Sequence, residues 1–165
     1  MNHDIDIKKT RINCFRQSKV PGEFMLQMRI PGGTINAKYL SDVEHIALTW
    51  GNGTFHMGMR QTFNILGIKY ENIESVNEYI KEYIKEVEVD ECNCNMPIDD
   101  KGYPTIGARN IMACIGNTHC IKGNINTKEL ATKVENLIFP SHYHIKVSIA
   151  GCPMTVVRLT SKILG

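Results

Sequence analysis

The sequence has 165 residues, room for one ordinary domain or two small joined units. Hydrophobic residues make up 42 %, which supports a packed core and excludes global disorder. The formal charge is only +2, and the basic residues are scattered apart from Lys8-Lys9, which argues against a nucleic-acid binder.

Residues 1–20 are polar and mixed and read as an N-terminal strand or arm. Asp4 and Asp6 stand where a signal peptide would place its basic and apolar regions. No apolar run approaches the roughly 20 residues of a spanning helix. A cytoplasmic protein without membrane contact is expected, and its six cysteines then read as metal or redox ligands sooner than as disulfides.

From Phe24 to Ile30 the pattern is that of a buried strand, stopped by Pro31-Gly32-Gly33. Asn36 to Trp50 carries Leu40, Val43, Ile46 and Ala47 at helical spacing, with Gly51 as the stop. Thr54 to Ile65 reads as one strand with polar residues intruding, closed by Gly67. A second helix places Val76, Tyr79, Ile80, Tyr83 and Ile84 on one face and Glu74, Glu78, Lys81 and Lys85 on the other. Val87 and Val89 return as a short strand. The order of elements implies an α+β sandwich of the ferredoxin-like type.

Beyond about Cys92 the chain is richer in Gly, Asn and Cys. It holds one clear helix, Thr127 to Phe139, with Thr127 as cap and Leu130, Val134, Leu137 and Ile138 on a face. His144 to Ala150 alternates as a strand that runs into Gly151-Cys152-Pro153. Cys114 and Cys120 form a Cys-x5-Cys pair, and Cys152 follows at a distance. Iron–sulfur clusters take cysteine thiolates, and glycines let backbone N–H groups approach sulfur. Spacing alone leaves buried structural cysteines as an open alternative. Cys92 and Cys94 have no matching second pair and read as unrelated to such a cluster, and Cys14 has no visible partner. His119 reads as a cap on a backbone group, and Trp50, Tyr79 and Tyr83 as core.

Cys-x5-Cys followed by Gly-Cys-Pro resembles the nitrite and sulfite reductase family. Phe24 to Gly33 looks like that family's opening strand. Met57-Gly58-Met59-Arg60-Gln61, ending in Leu66-Gly67-Ile68, looks like its tetrapyrrole-contacting strand. The run from Gly107 to Cys114 resembles the anaerobic sulfite-reducing branch in particular. The resemblance implies a ferredoxin-like half-domain over residues 21–90, followed by a 4Fe-4S/siroheme α/β domain over 91–165. It implies reduction of sulfite to sulfide, or of nitrite, with electrons from partner subunits. Siroheme and a [4Fe–4S] cluster are the implied cofactors.

By the same resemblance Cys114, Cys120 and Cys152 are metal ligands. Arg109, Lys146 and His144 face the substrate anion, and Arg29, His56, Arg60, Gln61 and Asn110 contact the cofactor. Gln27 stands where the family often has an arginine. Without the resemblance, Arg109 could be a surface ion pair and Lys146 a solvated strand residue.

After Pro153 the family pattern continues Asn-x-Cys, whereas this chain reads Met154-Thr155-Val156. Valine cannot ligate iron. Deleting one A from CCA-AAT-GAC-TGT turns Pro-Asn-Asp-Cys into Pro-Met-Thr-Val, so a frameshifted, truncated product is expected, with residues 154–165 atypical. Two further classes stand beside the enzyme: an inactive remnant or binding module that holds tetrapyrrole, and a small iron–sulfur carrier. The basic strand residues count against the carrier, which needs no anion pocket.

Overall fold

A computed structural model describes residues 15–80, 109–138 and 145–153. The expected strand at Val87 and Val89, Cys14, Cys92, Cys94, His144 and the tail from Met154 lie outside these residues.

Strand β1 (Phe15–Gln17) pairs antiparallel with β2 (Glu23–Met28), Phe15 opposite Leu26. In β2 every second residue, Phe24, Leu26 and Met28, is buried, the alternation of a sheet with one face on the core. The chain then turns through Pro31–Gly33. Asn36 accepts a hydrogen bond from Lys38 N at 3.0 Å and starts a short 3-10 turn, Ala37–Tyr39. Helix α1 (Leu40–Thr49) follows, with Val43, Ile46 and Ala47 buried as their spacing predicts, while Leu40 is exposed.

The segment expected as one strand over Thr54 to Ile65 is a hairpin instead. β3 (Phe55–Gly58) pairs with β4 (Thr62–Lys69), Gly58 opposite Thr62, and the intruding polar residues Arg60 and Gln61 are its turn. Nor does Gly67 end the strand. It lies inside β4 at φ 74, where the register against β2 slips between Phe24 and Leu26. A Cβ on Gly67 would stand 2.6 Å from the Asn52 Cβ, so the bulge needs glycine twice over.

The four strands lie in the order β1-β2-β4-β3. Helix α2 (Ile73–Ile80) buries Ile73, Val76 and Ile80, and joins α1 in covering one face of the sheet. Trp50 and Tyr79 pack against that core and against each other, and His45 touches both rings. The opposite face carries polar side chains, among them Gln27 and Asn64, joined Gln27 Nε2 to Asn64 Oδ1 at 3.1 Å.

A second, smaller unit pairs β5 (Met112–Ala113) in parallel with β6 (Ser148–Ile149). Arg109 N to Ile145 O and Met112 N to Val147 O extend the ladder ahead of β6. Helix α3 (Thr127–Ile138) packs on the pair, with Ile111, Ala113, Ala131 and Ile149 buried. Its cap is Asn126, not Thr127. Glu129 N donates to Asn126 Oδ1 at 3.2 Å, and Asn126 Nδ2 donates to the Glu129 carboxylate at 3.4 Å, so the cap lies one residue earlier than expected. The buried face is turned in part: Val134 and Ile138 pack on the core as expected and Thr127, Ala131 and Glu135 are buried, while Leu130 and Leu137 are exposed.

Ile65 is fully buried at the centre of the sheet core. Ile65→Ala is expected to lower stability by about 2–5 kcal/mol through lost transfer energy and a cavity, read as a reduced midpoint in urea unfolding.

Candidate functional site

The polar face of the sheet opens on a cavity of about 230 Å3. Four arginines line it: Arg16 on β1, Arg29 after β2, Arg60 in the β3–β4 turn and Arg109 ahead of β5. Gln27, Gly58, Met59, Thr62, Asn64 and Asn110 complete its lining. Sequence reasoning missed Arg16, which it placed in an arm. Its signal was Phe15, an apolar neighbour that alternation would bury.

Arg29 and Arg60 are held by their surroundings. Arg29 is buried and pairs with Glu135 of α3, its Nε 2.8 Å from Oε1. That ion pair explains the turned face of α3, since the inward position carries a charge that an apolar stripe does not reveal. Arg60 donates from Nε and Nη2 to Asn110 O, at 3.0 and 2.8 Å, and from Nη2 to Val147 O at 3.0 Å. Burial, and then the charges of Arg109 and Arg29, lower the pKa of Arg60 from its ordinary value. Arg109 is half-buried on the cavity wall.

Asn110 is buried and joins three segments. Ile30 N donates to its Oδ1 at 3.0 Å, and its Nδ2 donates to Ile30 O and Arg60 O. Gln61 is exposed as a residue, yet its carboxamide bonds both the N–H and the C=O of Ala113. His56 is exposed on β3, and Lys146 is exposed ahead of β6. Neither lines the cavity. His119 is exposed in the Cys-x5-Cys loop.

Cys114, Cys120 and Cys152 are half-buried thiols. Cys114 directly follows β5, and its Sγ accepts from Gly151 N at 3.1 Å, the residue before Cys152. The Cys120 loop is folded on itself by Cys120 N to Gly116 O, and tied to the Cys152 loop by Asn124 N to Gly151 O at 2.7 Å. Thr127 Oγ1, relieved of capping, donates to Cys114 O. The three cysteine loops thus meet at one end of the β5–β6 pair. Among the described residues no three His, Cys, Asp or Glu side chains stand close enough to form a ready metal site. No helix among them is long and apolar enough to cross a membrane.

Residues 16–83 match the family model described as the nitrite/sulfite reductase ferredoxin-like half domain. Along its whole length the chain is 43 % identical to a subunit of the anaerobic sulfite reductase of Salmonella typhimurium, and covers 49 % of it. The chain therefore spans about half the length of that relative. Among solved structures, dissimilatory sulfite reductase I aligns at a TM-score of 0.59 and 16 % identity, over 79 % of this chain and 29 % of that one. The NirA protein of Mycobacterium tuberculosis aligns at 0.56 and 16 %, over 78 % and 22 %. At such identities the two likenesses concern the fold.

The Arg29–Glu135 pair crosses between the two units. Glu135→Ala leaves a buried guanidinium without its carboxylate and is expected to cost roughly 3–5 kcal/mol, read from denaturant unfolding. The double replacement Arg29→Met, Glu135→Leu is expected to recover most of that loss.

Proposed function

We propose that the chain, which matches the nitrite/sulfite reductase half domain over residues 16–83 and is 43 % identical to a Salmonella anaerobic sulfite reductase subunit, belongs to that family and is the siroheme- and [4Fe–4S]-binding subunit of an anaerobic sulfite reductase. It would work in the cytoplasm and reduce sulfite to sulfide with electrons from partner subunits. In this reading residues 91–165 form the 4Fe-4S/siroheme domain that follows the half-domain. The observation that carries the reading is the cavity lined by Arg16, Arg29, Arg60 and Arg109, set beside the strands that deliver Cys114 and Cys152.

The residues present suit the two groups. A macrocycle rich in carboxylates and a small oxyanion both ask for fixed cations, and guanidinium forks match carboxylate geometry. Three thiols on linked loops are the ligand type that an iron–sulfur cluster takes, though among the described residues they do not yet stand together, and the Gly151 N–H aimed at Cys114 Sγ would offset thiolate charge. Siroheme, when bound, supplies the iron at which the six-electron reduction proceeds. The chain's own part is to bind and orient. Arg60, Arg29 and Arg16 would hold the macrocycle's carboxylates, and Arg109 on the cavity wall would hold the anion, with His144 as a further donor; Lys146 stands outside the cavity. These cations also offset charge on the anion as it is reduced. Asn110 fixes the backbone from which Arg60 and Arg109 project. Cys114, Cys120 and Cys152 ligate the cluster.

A second reading is a module that holds tetrapyrrole without turnover. Val156, at the position of the family's last cysteine, favours it.

An absorption spectrum of the anaerobically purified full chain, made in a siroheme-producing host, separates the readings. Siroheme and cluster bands together support the enzyme. Siroheme bands alone support the module, and cluster bands alone a carrier. With both bands present, Arg109→Ala is expected to weaken sulfite binding about ten- to a hundredfold, the worth of one charge-assisted hydrogen bond. An unchanged sulfite titration would remove Arg109 from the anion site, and tighter binding of nitrite would redirect the substrate assignment.

A further inference from the structure

We propose that Gln61 is a positioning residue for the cysteine loops. Its carboxamide pairs the edge of β5 that no strand among the described residues covers, and so fixes the sulfur of Cys114. Gln61 Nε2 donates to Ala113 O, and Ala113 N donates to Gln61 Oε1, both at 2.9 Å. That is the two-bond exchange of a paired β residue, made here by a side chain. On the other flank Met112 N donates to Val147 O and Cys114 N to Ile149 O. The N–H and C=O of Ala113 therefore point away from β6. Ala113 is only 3 % exposed, so without Gln61 both groups would be buried and unpaired.

The chain commits backbone energy to this arrangement. Gln61 sits at φ 58, a left-handed conformation uncommon outside glycine. Gly33 clears the space: a Cβ there would fall 2.5 Å from Gln61 Cδ. Asn110 Nδ2 lies 3.3 Å from Gln61 O and steadies the turn. Ala113 directly precedes Cys114, and Cys114 Sγ is bonded by Gly151 N, directly before Cys152. One carboxamide thus acts through one strand on the backbone of two loops. Arg60 reinforces it by bridging Asn110 O and Val147 O, one on each side of the parallel ladder.

The consequence for iron rests on the proposed function, in which these cysteines ligate a cluster. The backbone consequence does not. Amide exchange by NMR on the metal-free, isotope-labelled full chain therefore tests it first. In Gln61→Ala the Ala113 amide is expected to lose about five- to tenfold in protection, the worth of one net hydrogen bond. The Gly151 amide should lose protection with it, while Leu66 in β4, bonded to Thr54 O, stays unchanged. Anaerobic reconstitution with ferrous iron and sulfide should then leave less iron per chain than in the parent. A Gly151 amide that keeps its protection while Ala113 loses it overturns the proposal. If Gln61→Ala does not fold, Gln61→Asn withdraws the same carboxamide by one methylene and is read by the same two amides. Failure of the parent chain to take up iron would sink the cluster reading and leave the amide result standing.

Discussion

The arrangement depends on the carboxamide of Asn110. It is buried, and it satisfies the N–H and C=O of Ile30 at the end of the first sheet while it holds Arg60 O in the β3–β4 turn. Buried backbone groups left open cost about 1–3 kcal/mol each. Three segments distant in sequence therefore converge on one residue that answers all of them. No apolar side chain could do this, because the seam between the two units consists largely of backbone edges rather than hydrophobic faces.

That polar seam allows like charges to gather. Burial, and then the charges of Arg109 and Arg29, lower the pKa of Arg60 on the cavity wall. The fold offsets the repulsion with carbonyl acceptors for Arg60 and with Glu135 for Arg29, brought in by a helix from the other unit. Carbonyl dipoles hold Arg60 without cancelling its charge, which gives the cavity the electrostatics of an anion receptor. Cavity and seam are thus two aspects of one construction: the groups that hold the units together also aim the guanidiniums.

Much of the fold was legible because packing repeats. The spacing of Val43, Ile46 and Ala47 gave α1, and the alternation of Phe24, Leu26 and Met28 gave β2. What escaped was decided by single polar contacts. Arg60 and Gln61 read as intrusions in a strand, because a turn held at φ 58 by tertiary hydrogen bonds leaves no local signature such as Asn-Gly. Thr127 read as a cap because its hydroxyl suits one, yet Asn126 does that work and the hydroxyl serves Cys114 O. The inward turn of α3 follows from Glu135, a charge that hydrophobic periodicity assigns to solvent. For the candidate site, sequence resemblance picked out Arg29, Arg60, Arg109 and Asn110, all of which line the cavity. It could not show that the polar atoms of Gln61 and Asn110 are engaged in joining strands.

The smaller unit makes plain why those joints matter. Its core rests on Ile111, Ala113, Ala131 and Ile149, with a few partly buried neighbours. So small an apolar cluster offsets little chain entropy, and a two-stranded parallel ladder is weak without flanking structure. Stability must enter from outside, through Gln61 on the edge of β5, Arg60 across the ladder, and the bonds of Gly32 N to Ile111 O and Lys128 Nζ to Pro31 O. The geometry of the cysteine loops is therefore inherited from the larger sheet. A change at the β3–β4 turn reaches the sulfur atoms without touching them, whereas a change of similar size on the exposed face of α3 has no such route.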